Sequence, residues 1–157
     1  TDWFGFGPSD TYADRTTGMT MGLYSQAVKK NYIPYSVPEE GGNKSGVKWA
    51  TLTTFEDKVW KISSDEPFHI NHMAIDYYAL AGTTRSAFEI PYSRNNSLIL
   101  SAFLADLGDG QSCESVRSLN QKDRKYEYSF YFSLYDERND PIKNRWNYFL
   151  LQKKQNL

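Results

Sequence analysis

A single cysteine, Cys113, leaves no room for an internal disulfide or for a zinc site built on paired cysteines. A lone thiol suits a reducing compartment, a periplasm or a bacterial lipoprotein better than a disulfide-stapled secreted module. No apolar run reaches the roughly 18 residues needed to span a bilayer, so no membrane span is expected. There is no excess charge of either sign: the net charge of −1 gives no reason to expect nucleic acid or an anionic membrane as partner. Walker loop, dinucleotide fingerprint, GxSxG and HExxH are all absent, and neither a cofactor nor a metal is expected. Ser45 and Lys48 match SxxK in letters only, because they fall in a loop and strand where that chemistry needs a helix.

What is present in quantity is aromatic side chains, 16% of the chain with 12 Tyr and 4 Trp. Such residues favour strands and surfaces where one end of the ring stays wet. The length of 157 residues fits one domain, 1–157, with an irregular aromatic-containing segment over about residues 1–17. Residues 117–157 carry 9 Lys and Arg against 5 Asp and Glu, but acids interleave the basic run, as on an ordinary mixed surface. The first residue is Thr rather than Met, and the composition is rich in Tyr, Ser, Asn and Thr. Together these suggest an extracytoplasmic location, periplasmic or secreted, with a signal peptide removed.

Along the chain, TDWFGFGPSDTYADRTTG is punctuated by Gly, Pro and Asp and reads as irregular. GMTMGLYS alternates as a short strand, and SQAVKKN extends it as a helical turn. YIPYSVP is held extended by its prolines, and EEGGNKSG is a surface loop. VKWATLTTF and KVWKIS read as two strands joined by a tight turn at Glu56 and Asp57. In the stretch DEPFHINHMAIDYYALAG, Ser64, Asp65, Glu66 and Pro67 make a helix-start signature and Gly82 a stop. Ile70, Met73, Ala74, Tyr77, Leu80 and Ala81 recur at helical spacing, which predicts an amphipathic helix; a strand paired with SAFEIPY is the competing reading. NNSLILSAFLADLGDG fits either a second helix or a buried strand, and QSCESVRSLNQKDRK is polar. YEYSFYFSLY places Tyr126, Tyr128, Phe130, Phe132 and Leu134 on one face of a strand, with IKNRWNYFLLQ returning as its partner.

The chemistry-bearing residues are few. On a helix, His69, His72 and Asp76 share one angular sector and could face one proton or metal, but the polar side of an amphipathic helix is the simpler explanation. Cys113 would sit in the first turn of a helix, where the thiol pKa falls; with His69 or His72 it would make a small cysteine hydrolase. The acid pairs Asp65/Glu66 and Asp106/Asp109 have a capping explanation already. Trp3, Phe4 and Phe6, with Trp146 and Tyr148 on the last strand, are candidates for an exposed binding face.

These features predict an α+β fold, an antiparallel sheet with one or two packed helices, the alternative being an all-β sandwich. The expected function is a non-enzymatic extracytoplasmic interaction module, an inhibitor, immunity-type protein or assembly subunit that binds a protein partner through aromatic surface. The cysteine hydrolase stands second, and a carbohydrate-binding module stacking sugars on Trp and Tyr third.

Overall fold

A computed structural model describes residues 1–12, 15–32, 41–81, 89–102 and 125–135. Six strands make one antiparallel sheet: β1 (Asp2–Gly7), β2 (Thr20–Ser25), β3 (Lys44–Thr53), β4 (Val59–Met73), β5 (Ser97–Ser101) and β6 (Phe130–Tyr135). The only helices among the described residues are single turns, α1 (Val28–Asn31) and α2 (Tyr77–Ala81). The predicted α+β fold with packed helices is therefore corrected: no described helix reaches 7 residues, and the architecture is closer to the all-β alternative.

The strand order is β2-β1-β3-β4-β5, with β6 also paired to β4. At 15 residues β4 is the spine, roughly 50 Å long at the usual strand rise. β3 takes one of its sides. On the other side Val59–Ser64 pairs with β6 and His69–Met73 pairs with β5. The predicted helix over 65–82 is thus a strand as far as Met73, held by ladders on both sides. Pro67 fits because the β3–β4 register slips between Val47↔Phe68 and Trp49↔Ser63, so the proline sits in a bulge where no ladder donor is needed.

Residues opposite one another in an antiparallel ladder share a face. One face carries Tyr24, Trp3, Ala50, Ile62 and Phe132 in a single row, and Trp3, Ala50 and Ile62 there are core residues with Val47, Phe68 and Ile70. β1 approaches β3 so closely that a Cβ on Gly5 would lie 3.0 Å from Val47 Cα, so the glycine that makes the segment look irregular is what lets it pack. A second, smaller core lies on the opposite face of the far end of β4, where Tyr32, Met73 and Ile75 meet Ile90 and Ile99.

Other expectations meet the structure unevenly. GMTMGLYS is β2, the SQAVKKN turn is α1, and the two strands around Glu56 and Asp57 are β3 and the start of β4. Residues 2–7, read as irregular, are β1. The ambiguous NNSLILS is strand β5. β6 pairs with β4, whereas its predicted partner at 142–152 lies outside the described residues.

Candidate functional site

Two buried polar networks lie where the start of β3 meets the second half of β4. The first holds the loop that follows β1. Thr11 N–H donates to Asn43 O and Asn43 Nδ2 donates to Thr11 O, each at 2.7 Å. Ser45 donates twice to Thr11 Oγ1, from its backbone N–H at 2.8 Å and from Oγ at 2.9 Å. Tyr12 OH accepts from Gly41 N–H, and Arg15 donates to Asp10 at 2.6 Å. Lys44 is buried beneath this loop, its ammonium 5.2 Å from the centre of the Trp3 ring and 3.4 Å from Pro8 O. Burial pushes its pKa down to about 8, against the pull of Asp10. None of the described buried side-chain atoms left without a partner belongs to this network, and its cross-links hold the loop to the start of β3.

The second network surrounds His72. Its Nδ1 lies 2.7 Å from Thr1 Oγ1, and Asn31 Nδ2 donates to Thr1 Oγ1 and to His72 O, each at 3.0 Å. Burial first, and the Thr1 ammonium second, lower the His72 pKa to about 4. The ring is therefore neutral over the physiological range.

The predicted constellation of His69, His72 and Asp76 does not assemble. Positions i and i+3 share a sector on a helix but point to opposite faces of a strand. His69 accordingly joins the loop network, 3.5 Å from Asn43 Nδ2, and His72 meets Thr1. Asp76 lies beyond the strand end, where Oδ1 accepts from Tyr78 N–H at 2.9 Å. Among the described residues no group of three His, Cys, Asp or Glu is placed to hold a metal. Cys113, Asp106 and Asp109 lie outside the described residues, as do Trp146 and Tyr148. Trp3 is a core residue, 1% exposed, packed on Tyr24 and donating from Nε1 to Phe6 O at 2.9 Å. Phe4 and Phe6 are half-buried on the other face. Asp10, Thr11, Arg15, Asn43 and Lys44 were not singled out by any sequence pattern, and Ser45 only by the discounted SxxK match. Their one visible signal in the sequence was the clustering of small polar residues in PSDTYADR and GGNKSG.

Residues 1–134 match the family model described as Beta galactosidase small chain. The chain belongs to that family. A β-galactosidase of Lactobacillus delbrueckii subsp. bulgaricus is 36% identical over 109 residues, 69% of this chain and 10% of that protein. One from Priestia megaterium (strain DSM 319 / IMG 1521) is 35% identical over 78 residues, 50% of this chain and 8% of that protein. A third, from Streptococcus thermophilus, is 30% identical over 95 residues, 60% of this chain and 7% of that protein. This small-chain sequence spans about a tenth or less of the length of these curated relatives. The family overturns the expected non-enzymatic inhibitor or immunity-type protein, and gives no support to a secreted or periplasmic protein-binding module. It replaces the cysteine hydrolase and the carbohydrate-binding module as well. No described helix is long and apolar enough to cross a membrane.

Proposed function

We propose that this chain is the small-chain component of a β-galactosidase, and that it works in β-galactoside hydrolysis only when joined to the rest of that enzyme. The observation that carries this reading is the family match over residues 1–134, supported by similarity to a stretch of each β-galactosidase relative that is 10% or less of that protein. The chemistry of the described residues agrees. Glycoside hydrolysis generally uses a pair of facing carboxyl groups. Here the two buried carboxylates have structural duties: Asp2 accepts from Thr51 Oγ1 at 2.9 Å, and Asp10 holds Arg15. In this reading the remaining polypeptide supplies the general acid and the nucleophile, and the small chain supplies the sheet and the loop that complete the enzyme. Its partners are that polypeptide and a β-galactoside.

The test is reconstitution. The chain and the remaining β-galactosidase polypeptide are purified separately, mixed, and assayed with o-nitrophenyl β-D-galactoside. Hydrolysis is expected from the mixture and from neither component alone. A companion polypeptide that is fully active by itself, or a mixture as inactive as its parts, would sink this reading.

A further inference from the structure

Among the described residues, β2 is an open edge of the sheet. Thr1 and Gln26 exchange both of their backbone hydrogen bonds, at 2.8 and 2.9 Å, and so form a hydrogen-bonded pair at the open end of the β1–β2 ladder. Such pairs alternate along an antiparallel ladder. The unbroken register then makes Trp3↔Tyr24, Gly5↔Gly22 and Gly7↔Thr20 the bonded pairs. It follows that Met21, Leu23 and Ser25 turn their N–H and C=O groups away from β1, toward the outside of the sheet.

Natural edges are usually guarded by charge, proline or a bulge. β2 has none of these: its sequence is TMGLYS, and its six pairs with β1 run without a register shift. Among the described residues no strand lies beyond it. Met21 and Leu23, whose backbones face outward, also expose their side chains, at 44% and 52%. β5 and β6 are uncharged as well, but β6 is followed directly, and β5 after one residue, by residues outside the described set, whereas β2 is flanked by residues 15–19 and 26–32, all described.

We propose that the outer edge of β2 receives an extended segment of the remaining β-galactosidase polypeptide, which adds to the sheet as an antiparallel or parallel neighbour. The inference rests on the reading of the chain as a small-chain component. Relatives in which the matched part is 10% or less of the protein leave 90% or more of the polypeptide to supply that strand. The segment recognised is uncharged and apolar on the side that meets Met21 and Leu23. Main-chain hydrogen bonds to Met21, Leu23 and Ser25 set its register.

Hydrogen exchange on the wild-type chain, alone and mixed with the companion polypeptide that restores hydrolysis, tests this directly. Amides of Met21, Leu23 and Ser25 are expected to slow by about tenfold or more in the mixture, while those of Gly22 and Tyr24, already bonded to β1, change little. Two variants test it independently. Leu23→Pro removes one outward donor, and the Met21→Lys/Leu23→Lys pair charges the edge. Each is expected to weaken association by about tenfold or more. Phe55→Lys, in the exposed β3–β4 turn, should leave it unchanged. A mixture that is active yet shows the same exchange at the three amides as the free chain overturns the edge proposal and leaves the functional reading standing. Slowed exchange in the chain alone at high concentration assigns the edge to a second copy, and also overturns it. If no companion restores hydrolysis, the functional reading falls and the proposal falls with it.

Discussion

Phe68 and Phe55 are the same side chain in opposite circumstances. Phe68 is 0% exposed, pairs with Val47 across the ladder and meets the edge of the Phe130 ring at 5.5 Å. Phe55 stands fully exposed in a turn. Replacing Phe68 by Ala removes buried apolar area and leaves a cavity, so a loss of about 3–5 kcal/mol is expected in urea unfolding. The same change at Phe55 should stay within about 0.5 kcal/mol. The histidines make a second prediction at this scale. Burial lowers the pKa of His69, and lowers that of His72 to about 4 from 6.5. The unfolded chain therefore binds these protons first, at higher pH than the folded one. Their contribution to stability is complete above about pH 6.5 and is lost as pH falls toward 4. The urea midpoint should drop across that window, and the drop should be shallower in a His69→Gln/His72→Gln variant. A wild-type midpoint that holds steady from pH 7 to pH 4.5 would show that the folded state protonates both rings as readily as the unfolded chain. Both histidines were conspicuous in the sequence, but their grouping depended on the period assumed. A helical period brings them together and the strand separates them.

At the scale of elements, β2, α1, β3 and the first half of β4 were legible because only one periodicity fits each. The stretch from Ser64 to Ala81 was not, and the reason is physical. A strand that buries both faces loses its alternation. Ile70 belongs to one core and Met73 to the other, so apolar residues recur at a spacing of three, which imitates a helical stripe. The capping pattern at Ser64–Pro67 added to the imitation, since a proline in a bulge and a proline at a helix start look alike in sequence. Gly42 shows how tightly the elements then lock. It has φ +79, and a Cβ there would lie 1.6 Å from the backbone oxygen of Asn31. Neither atom can yield without moving α1 off the entry to β3. Gly42→Ala is expected to cost at least about 2 kcal/mol, from left-handed strain and displaced backbone together. Gly18→Ala should cost only the conformational penalty, about 1–2 kcal/mol, because nothing lies within 4 Å of a Cβ there. Thermal unfolding of the two variants side by side checks the order; equal losses would mean that the Asn31 contact is not rigid.

For the molecule as a whole, family and function were illegible because the residues that the fold buries at its polar end, Asp10, Thr11, Asn43, Lys44 and Ser45, have no short motif that names a chemistry. Their value lies in a loop shape that only the assembled sheet reveals. What the sheet leaves uncovered points outward in a different way. Beyond Met21 and Leu23 on β2, Trp60, Phe132 and Leu134 continue the core face and remain 43%, 56% and 53% exposed. Apolar surface of this kind on a chain with net charge −1 favours association. A companion that binds only the folded chain stabilises it by mass action, about 2.7 kcal/mol at a free concentration of 100 times Kd. For a domain of this size that corresponds to a rise in Tm of about 5–10 °C. The expected result is that rise on adding the remaining β-galactosidase polypeptide, together with a fall in the fluorescence of a dye that reports exposed apolar surface. The size of the rise should grow with the logarithm of companion concentration once binding is saturated. A Tm that stays fixed while hydrolysis is restored would mean that the companion binds folded and unfolded chain alike, and that the exposed apolar residues of the sheet take no part in the assembly.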